Sequence, residues 1–417
     1  MDVLLRSARI IDENSKYHQQ TRDILIEKGV IKVIRKKIEL PPKCKEIKVK
    51  NLHVSNGWFD TSVSFGEPGF EERDTIENGL KTAAHSGVTK VAVNPNTNPL
   101  IDNKSQVEFL IQKSTGSAVA LFPIANLTQG AQGKELAELY DMKNSGAVAF
   151  SDYAKGIANA NLLKIALLYA QNFDGLIMSF PQDDSIGSHG FVNESPATTK
   201  LGLNSVPNLS EELQIVRDLY LLEYTGGKLH IPTITTAGAV KLIREAKKKG
   251  LDVSCSVSAH HLSLTDEKIA SFDSNFKVSP PLRTSKDVKA LIKGVQDGTI
   301  DMIVSDHNPI DIENKKVEFE NGLYGTIGLE TLFGSVSNLV GIESFVKCMT
   351  TNPQKRFGLP LSVIEENASA DLTLFDPERE YVFEEEMIRS KSHNSAFLGK
   401  NLKGQALGIF ARNQLVI

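Results

Sequence analysis

The chain has 417 residues, of which 47 are basic and 51 acidic, giving a formal net charge of −4 at pH 7. Because there is no basic surplus, binding to nucleic acid through bulk electrostatics is disfavoured. Hydrophobic residues make up 41% and charged residues 24% of the sequence, a composition that excludes disordered, collagen-like and coiled-coil chains. The length exceeds what one hydrophobic core usually supports, so we expect one large domain and one smaller domain.

No apolar run approaches the ~18 residues that a membrane-spanning helix needs, and the N-terminal sequence lacks the features of a signal peptide. The cysteines, Cys44, Cys255 and Cys348, are far apart and have no spacing typical of a metal site. The sequence therefore predicts a cytoplasmic protein with reduced thiols and with neither a membrane nor a nucleic-acid partner.

Both ends of the chain have the pattern of short β-strands separated by turns. The predicted strands are 3–11, 23–27 and 30–34 at the start, and 371–375, 406–410 and 414–417 at the end. We expect these two segments, residues 1–55 and 362–417, to pair into one small composite β-domain.

Between these ends, residues 56–361, apolar runs alternate with longer amphipathic segments. The runs are 58–65, 88–93, 118–123, 147–150, 176–179, 228–233, 252–257 and 300–304. Asp74 and Glu77 mark the start of the first helix, and Gly250 and Gly298 are among the glycines that separate a helix from the next run. The alternation predicts an α/β fold, a (β/α)₈ TIM-like barrel, with a doubly wound open sheet as the alternative.

In such a barrel, the active site lies where the strands end. The residues at these positions are rich in hydroxyl groups, and we expect carboxylates there only at Asp152 and Asp306. Histidines follow only the last two strands, as His260, His261 and His307.

The order of the motifs resembles that of dihydroorotases of the long bacterial type, in the amidohydrolase superfamily. The matching segments include residues 57–71 (GWFDTSVSFGEPGFE), 93–102 (VNPNTNPLID), 259–264 (AHHLSL), 277–283 (KVSPPLR) and 297–309 (DGTIDMIVSDHNP). The resemblance implies a barrel with a composite β-domain, and one or two zinc ions that activate water to open or close the dihydroorotate ring. It also implies metal ligands from an H-x-H after strand one, a carboxylate or carboxylated lysine after strand four, and histidines after strands five and six.

The sequence departs from the family pattern at those ligands. Ser62 and Ser64 stand at the H-x-H, Ser179 at the strand-five histidine, and Thr233 at the strand-six histidine. Gly66 replaces the arginine that binds the substrate carboxylate, and Ser279 and Ile310 replace an asparagine and a histidine of the pocket. The family residues Asp152, Asn96 and the strand-eight Asp306, which shuttles a proton in the family, are retained.

Zinc binds imidazole, thiolate and carboxylate ligands, and a neutral hydroxyl group is a poor substitute. We therefore expect no metal cofactor, and a retained but idle Asp306 beside a retained substrate-binding Asn96. Asp152 and the histidines are expected to have structural roles, with His260 and His261 bonded to nearby backbone.

These departures predict a dihydroorotase-like protein of pyrimidine biosynthesis without activity. The resemblance implies that such a form serves as a structural or regulatory partner of aspartate transcarbamoylase, and we expect it to be a homo-oligomer. One alternative is an active cyclic amide hydrolase, converting dihydroorotate to N-carbamoyl-aspartate, with ligands recruited from His189, Asp183 and Asp184 in the polar segment 181–209. The other alternative is a small-molecule binding module.

Overall fold

A computed structural model describes residues 2–187 and 190–417. The strands are β1 (Val3–Ile11), β2 (Thr21–Glu27), β3 (Val30–Arg35), β4 (Lys45–Ile47), β5 (His53–Asn56), β6 (Trp58–Val63), β7 (Val88–Val93), β8 (Ala120–Ala125), β9 (Ala149–Phe150), β10 (Leu176–Met178), β11 (Val192–Asn193), β12 (Ser205–Val206), β13 (Lys228–Ile231), β14 (Val253–Ser258), β15 (Met302–Val304), β16 (Leu372–Val382), β17 (Asn401–Ala411) and β18 (Gln414–Val416).

The helices alternate with the strands through the middle of the chain. They are α1 (Ile76–His85), α2 (Lys104–Lys113), α3 (Leu139–Asn144), α4 (Ala160–Ala170), α5 (Asp184–Gly187), α6 (Pro196–Thr199), α7 (Asn208–Thr225), α8 (Ala237–Lys248), α9 (Ala259–Ser263), α10 (Ser285–Gln296), α11 (Ile312–Lys315), α12 (Leu332–Val340), α13 (Ile342–Met349) and α14 (Thr351–Arg356). Short 3₁₀ helices span Gln129–Ala131, Gln171–Phe173, Asp266–Ser271, Ser274–Phe276, Leu329–Thr331 and Glu385–Met387.

The eight predicted inner strands form a parallel barrel in the order β6-β7-β8-β9-β10-β13-β14-β15. The barrel closes just beyond β15, where His307 forms a parallel bridge with Val63 and its carbonyl accepts the N–H of Ser64 at 2.7 Å. The predicted α/β barrel is therefore confirmed, and the open-sheet alternative is wrong.

The strands from both ends of the chain share a second sheet, in the order β18-β17-β16-β5-β1-β2-β3. The two ends join where β16 pairs antiparallel with β5, with Leu372 opposite Asn56. The buried indole of Trp58 packs against Phe375 of this sheet at 5.6 Å between ring centroids, and against Phe345 of α13 at 5.1 Å. The predicted composite β-domain is present, while the limits 1–55, 362–417 and 56–361 stay a prediction.

Hydroxyl side chains cap the first turns of several barrel helices. The side chain of Thr236 accepts the N–H of Ala239 at the start of α8, and α1 begins in the same way at Thr75. The predicted start at Asp74 is therefore wrong by one residue, because the Thr75 hydroxyl rather than the Asp74 carboxylate faces the free N–H groups. No helix in the described part of the chain is long and apolar enough to cross a membrane.

Candidate functional site

A cavity of about 370 Å³ lies at the mouth of the barrel, where the parallel strands end. Its lining includes the retained residues Asn96 and Asp306, and also Tyr153, Ser279 and Ile310. The structure thus brings together several of the residues that the sequence singled out, at the end of the barrel where catalytic groups are usually found.

Ser62 and Ser64 belong to one hydrogen-bonded cluster that reaches the cavity through Asp306. The side-chain amide of Asn94 donates to both hydroxyl oxygens at 3.2 Å. Ser62 in turn donates to Oδ1 of Asp306 at 3.2 Å, and Tyr153 lies close to Ser64. The two serines are therefore held by neutral partners and one carboxylate, in a chemistry suited to hydrogen bonding rather than to metal ligation.

Asp306 adopts a left-handed backbone conformation with φ of 50°, and its side chain is 14% exposed. Burial raises the pKa of this carboxyl group to about 6, and the bond from Ser62 opposes the rise. Its other oxygen, Oδ2, lies 3.8 Å from Nε2 of His260, too far for a hydrogen bond.

His260 is buried, and neither of its ring nitrogens has a hydrogen-bond partner within the described residues. Burial, with a smaller effect of His261, holds the pKa of His260 well below its usual value, so the ring is neutral. The predicted backbone hydrogen bond of His260 is therefore wrong, because the ring lies beside the Asp306 carboxylate and neither nitrogen is within bonding distance of a described backbone group.

The other two histidines have structural partners. His261 bonds to the carbonyl of Pro280 at 2.9 Å and to the hydroxyl of Ser258, as predicted. His307 accepts the N–H of Gly328 through Nδ1 at 3.2 Å and packs edge-on against Phe65. The imidazoles of His261 and His307 thus hydrogen-bond to the backbone of the loops that follow β14 and β15.

Asp60 is a third carboxylate beneath the mouth, and the expectation of only two is wrong. It is fully buried, and its carboxylate accepts the N–H of Ser305 at 3.2 Å where β15 and β6 meet, and the N–H of Ser62 at 3.2 Å. Burial raises the pKa of Asp60 to about 7, and the bonds from Ser305 and Ser62 oppose this rise. Asp60 thus satisfies the backbone at the seam that closes the barrel.

Asp152 is directed away from the serines and toward the loop that follows β8. Its Oδ1 accepts the backbone N–H groups of Leu127 and Thr128, each at 3.0 Å, and its Oδ2 accepts the Thr128 hydroxyl. Burial raises the pKa of Asp152, and the Thr128 hydroxyl bond opposes the rise. These contacts give Asp152 a defined structural function.

The remaining family ligand positions are also bonded elsewhere. The Ser179 hydroxyl donates to the buried carboxylate of Asp218 on α7 at 2.6 Å. Thr233 has a left-handed backbone with φ of 52°, and its N–H donates to the Ser256 hydroxyl at 3.2 Å. Neither position presents an imidazole, thiolate or carboxylate to the cavity.

Gly66 cannot be replaced by a larger residue without moving the backbone. Its φ is 85°, and a Cβ atom would lie 2.5 Å from the carbonyl oxygen of Phe70. Arg73 is nearby, on the cavity wall, with its guanidinium stacked 4.2 Å from the centroid of the Phe70 ring and 3.6 Å from the Asp311 carboxylate. Arg73, the arginine of the cavity lining, thus lies within ion-pair distance of an acidic side chain.

Described residues of the polar segment 181–209, Phe191 and Val206 among them, contribute to the lining of the cavity. The buried guanidinium of Arg283 fastens this segment to the barrel by donating to Oδ1 of Asn193 and to the carbonyl of Val206, both at 2.8 Å. Arg283 also lies 3.9 Å from the buried carboxylate of Glu211 on α7. The place of Arg283 within a sequence motif gave no sign of this role.

The predicted relocated ligand His189 lies outside the described residues. Asp183 accepts hydrogen bonds from the N–H and hydroxyl of Ser185, and Asp184 accepts one from Gln182 at 2.7 Å. These two carboxylates therefore already have local partners.

The residues present do not fit the zinc centre that the resemblance implies. Zinc sites use nitrogen, thiolate and carboxylate ligands in close tetrahedral or similar arrangements. Across residues 2–187 and 190–417, no group of three or more His, Cys, Asp or Glu side chains is placed to hold a metal ion. The family positions instead carry hydroxyl groups, and the retained Asp152 is bonded to backbone.

Asn94, Asp60 and Tyr153 are the site residues that the sequence analysis missed. Asp60 lies two residues before Ser62 and accepts its N–H, and this proximity in the sequence was the available signal. Asn94 follows β7 directly, but the resemblance pointed to Asn96 instead. Tyr153 carried no comparable signal, because its position depends on a left-handed backbone with φ of 60°.

Comparisons with known proteins agree with this architecture. A family model described as dihydro-orotase-like matches residues 53–239. The dihydroorotase of Syntrophus aciditrophicus is 36% identical over 423 residues, covering 100% of this chain and 99% of the relative. That of Pelotomaculum thermopropionicum is 41% identical over 358 residues, covering 84% of each chain.

Solved structures show the same fold at low sequence identity. The L-hydantoinase of Arthrobacter aurescens matches with a TM-score of 0.86 and 20% identity, covering 100% of this chain and 96% of that one. The dihydropyrimidinase of Brevibacillus agri matches with a TM-score of 0.82 and 18% identity, covering 100% of this chain and 95% of that one. With its full-length relatives above 30% identity, the chain belongs to the dihydroorotase family of the amidohydrolase superfamily.

Proposed function

We propose that this chain is a non-catalytic member of the dihydroorotase family that acts in pyrimidine biosynthesis as a structural or regulatory partner of aspartate transcarbamoylase. The observation that carries the proposal is the hydrogen-bonded cluster of Ser62, Ser64 and Asn94, which occupies the place of the family's first metal ligands.

The chemistry of this cluster does not support hydrolysis of a cyclic amide by the family route. A metal ion lowers the pKa of bound water from about 15.7 to about 7, and a serine or threonine hydroxyl cannot replace the ligands that hold such an ion. Asp306 can accept a proton, but without a bound metal ion no water molecule is acidic enough for Asp306 to turn it into a nucleophile. The residues therefore support a barrel in which Asp306 is idle.

The substrate anchor of the family is also missing. A bidentate arginine is the usual partner of a carboxylate substrate, and Gly66 stands at that position. The carbonyl of Phe70 would lie 2.5 Å from a Cβ atom there, so the turn is built around glycine.

The partner is proposed from the family resemblance together with the preservation of the fold. The barrel, its closing seam and the described part of the segment 181–209 are all held by buried hydrogen bonds, as Asp60 and Arg283 illustrate. A chain that keeps its architecture while lacking the metal ligands is suited to a scaffolding or regulatory role.

The test is to mix the purified chain with the aspartate transcarbamoylase of the same organism and to measure the mass of the eluting species by light scattering. We expect one joint species, and a changed thermal stability or activity of the transcarbamoylase. An unrelated barrel protein of similar mass serves as the control. Separate elution of the two proteins at micromolar concentration would reject this partner.

Ligand binding at the mouth is the second candidate, and the cavity of about 370 Å³ favours it. Asn96, Tyr153, Ser279 and Asp306 offer hydrogen bonds to a small, mostly neutral molecule. A ligand at 100 times its Kd stabilises the folded protein by about 2.7 kcal/mol, which a thermal-shift screen of pyrimidines detects. A shift that disappears in Asn96→Leu supports a sensor, whereas no shift with any pyrimidine speaks against it.

A further inference from the structure

Residues 28–50, which we call the basic segment, carry a charge opposite to that of the chain as a whole. They include nine basic and two acidic residues, a formal charge of +7, whereas the complete chain has −4. All nine basic residues are exposed, and none forms an ion pair with a described residue. Of the two acidic residues, Glu46 is paired with Arg6, outside the segment. The basic segment therefore presents uncompensated positive charge to the solvent.

The fold gathers this charge on one part of the β-domain. β3 is the edge strand of its sheet, whereas β4 pairs with β1, so the chain between them crosses β2 and β1. Ile38 fixes the crossing, because its N–H donates to Asp23 on β2 at 3.0 Å and its carbonyl accepts from Arg6 on β1. The adjoining acidic residues, Asp2 and Glu27, offset only part of the charge. The basic residues before and after the crossing thus share one surface.

Two aliphatic side chains are exposed among these cations. Leu40 is 48% exposed and Val49 is 41% exposed. Val49 lies between Lys48 and Lys50, and Leu40 follows the run of three basic residues 35–37. An aliphatic group beside several lysines can enter the boundary between lipid headgroups and acyl chains while the ammonium groups stay at the lipid phosphates.

The composition of the basic segment favours an anionic lipid surface over other acidic partners. The segment contains no aromatic, hydroxyl or amide side chain, so it offers nothing that stacks on a base or reads a base edge. Eight of its nine cations are lysines, which bind as point charges and are depleted at the centres of protein interfaces. An anionic bilayer requires neither stacking nor bidentate geometry, and each basic residue held near it raises the binding affinity about five-fold.

We infer that residues 28–50 dock this chain on the surface of an anionic phospholipid membrane, with the lysines at the lipid phosphates and with Leu40 and Val49 inserted among the headgroups. Such docking needs no spanning helix, and the expectation of no membrane partner followed from the absence of a spanning segment. The inference is independent of the proposed function, because no residue of the basic segment lines the mouth cavity.

The test is flotation of the full chain with vesicles of phosphatidylcholine alone, or of phosphatidylcholine mixed with phosphatidylglycerol. We expect the chain to float only with the anionic vesicles, and to be released at about 1 M NaCl, where the Debye length falls to about 3 Å. The variant Lys36→Gln/Lys37→Gln/Lys48→Gln/Lys50→Gln should bind the anionic vesicles at least about 100-fold more weakly. All four side chains are exposed, so the variant should fold, as circular dichroism would verify.

The matched control is Lys241→Gln/Lys248→Gln/Lys286→Gln/Lys289→Gln. It removes the same charge from exposed positions on α8 and α10, and it should float like the wild type. A wild-type chain that does not float with anionic vesicles, or that floats equally with phosphatidylcholine alone, would overturn the inference. Equal binding of the two lysine variants would do the same.

A second variant, Leu40→Ser/Val49→Ser, separates a lipid surface from other anionic partners. It should weaken vesicle binding several-fold and leave any binding to duplex DNA, a phosphate polymer without an apolar layer, unchanged. Unchanged vesicle binding in this variant, or tighter binding of the wild type to duplex DNA than to anionic vesicles, would contradict docking on lipid. If the chain ignores vesicles and the basic-segment lysine variant loses aspartate transcarbamoylase, the surface belongs to that protein and the inference is wrong.

Discussion

Replacing Asp60 with asparagine is expected to remove a pH-dependent loss of stability. Asp60 is fully buried at the seam between β6 and β15, and burial raises its pKa from 3.8 to about 7. A carboxyl group with a higher pKa in the folded protein holds its proton more tightly there, so stability falls as the pH rises from the unfolded to the folded pKa. At about 1.4 kcal/mol per pH unit, and with no further loss once Asp60 is ionised in both states, the wild-type protein loses about 3 kcal/mol between pH 5 and pH 8 through this group.

The assay is urea unfolding of wild type and Asp60→Asn at pH 5 and at pH 8. The asparagine stays neutral at both, and its carbonyl can still accept the N–H of Ser305, so the variant should gain about 3 kcal/mol relative to wild type at the higher pH. Asp297→Asn is the control. Burial alone would raise the pKa of Asp297, but bonds from Thr299 hold it below 3.8. Asp297 is therefore ionised at both pH values, and the substitution should change the free energy of unfolding equally at both. Identical pH dependence of wild type and Asp60→Asn would refute the reasoning.

Three further substitutions test the structural roles assigned around the mouth by urea unfolding. Asp152→Ala leaves two buried backbone N–H groups without an acceptor and should cost about 2–4 kcal/mol; an unchanged stability would contradict its structural role. Arg283→Met should cost about 3–5 kcal/mol by leaving Glu211 unpaired, and should speed proteolysis within residues 181–209; intact resistance would argue against the anchor. Gly66→Ala should cost about 1–3 kcal/mol because of its φ of 85°, and a neutral effect would show that the turn can relax.

The architecture could be predicted from the sequence because buried parallel strands leave a strong pattern. Each predicted apolar run overlaps one strand of the barrel. Glycines such as Gly250, with φ of 82°, end helices where expected. The error at the start of α1 was small, since Asp74 and Thr75 are both good caps and only the direction of the side chain distinguishes them. Local sequence preferences therefore predicted the helices and strands, but they did not determine which way the side chains point.

The site was less predictable, because its geometry depends on contacts between strands that are far apart in the chain. The sequence placed hydroxyl groups at the family ligand positions, but it did not show that Asn94 joins Ser62 and Ser64. Nor did it show that His260 lies beside Asp306 without a hydrogen bond. These contacts follow from barrel closure and from unusual backbone conformations, neither of which a local pattern encodes.

Zinc content of the purified chain, together with a dihydroorotate hydrolysis assay on the same sample, decides whether this barrel is inactive. We expect no stoichiometric zinc and no turnover, since Ser62, Ser64, Ser179 and Thr233 present hydroxyl groups where the family has its ligands. Zinc at one or two ions per chain together with turnover would contradict it. A His189→Ala variant would then show whether the segment 181–209 supplies a ligand.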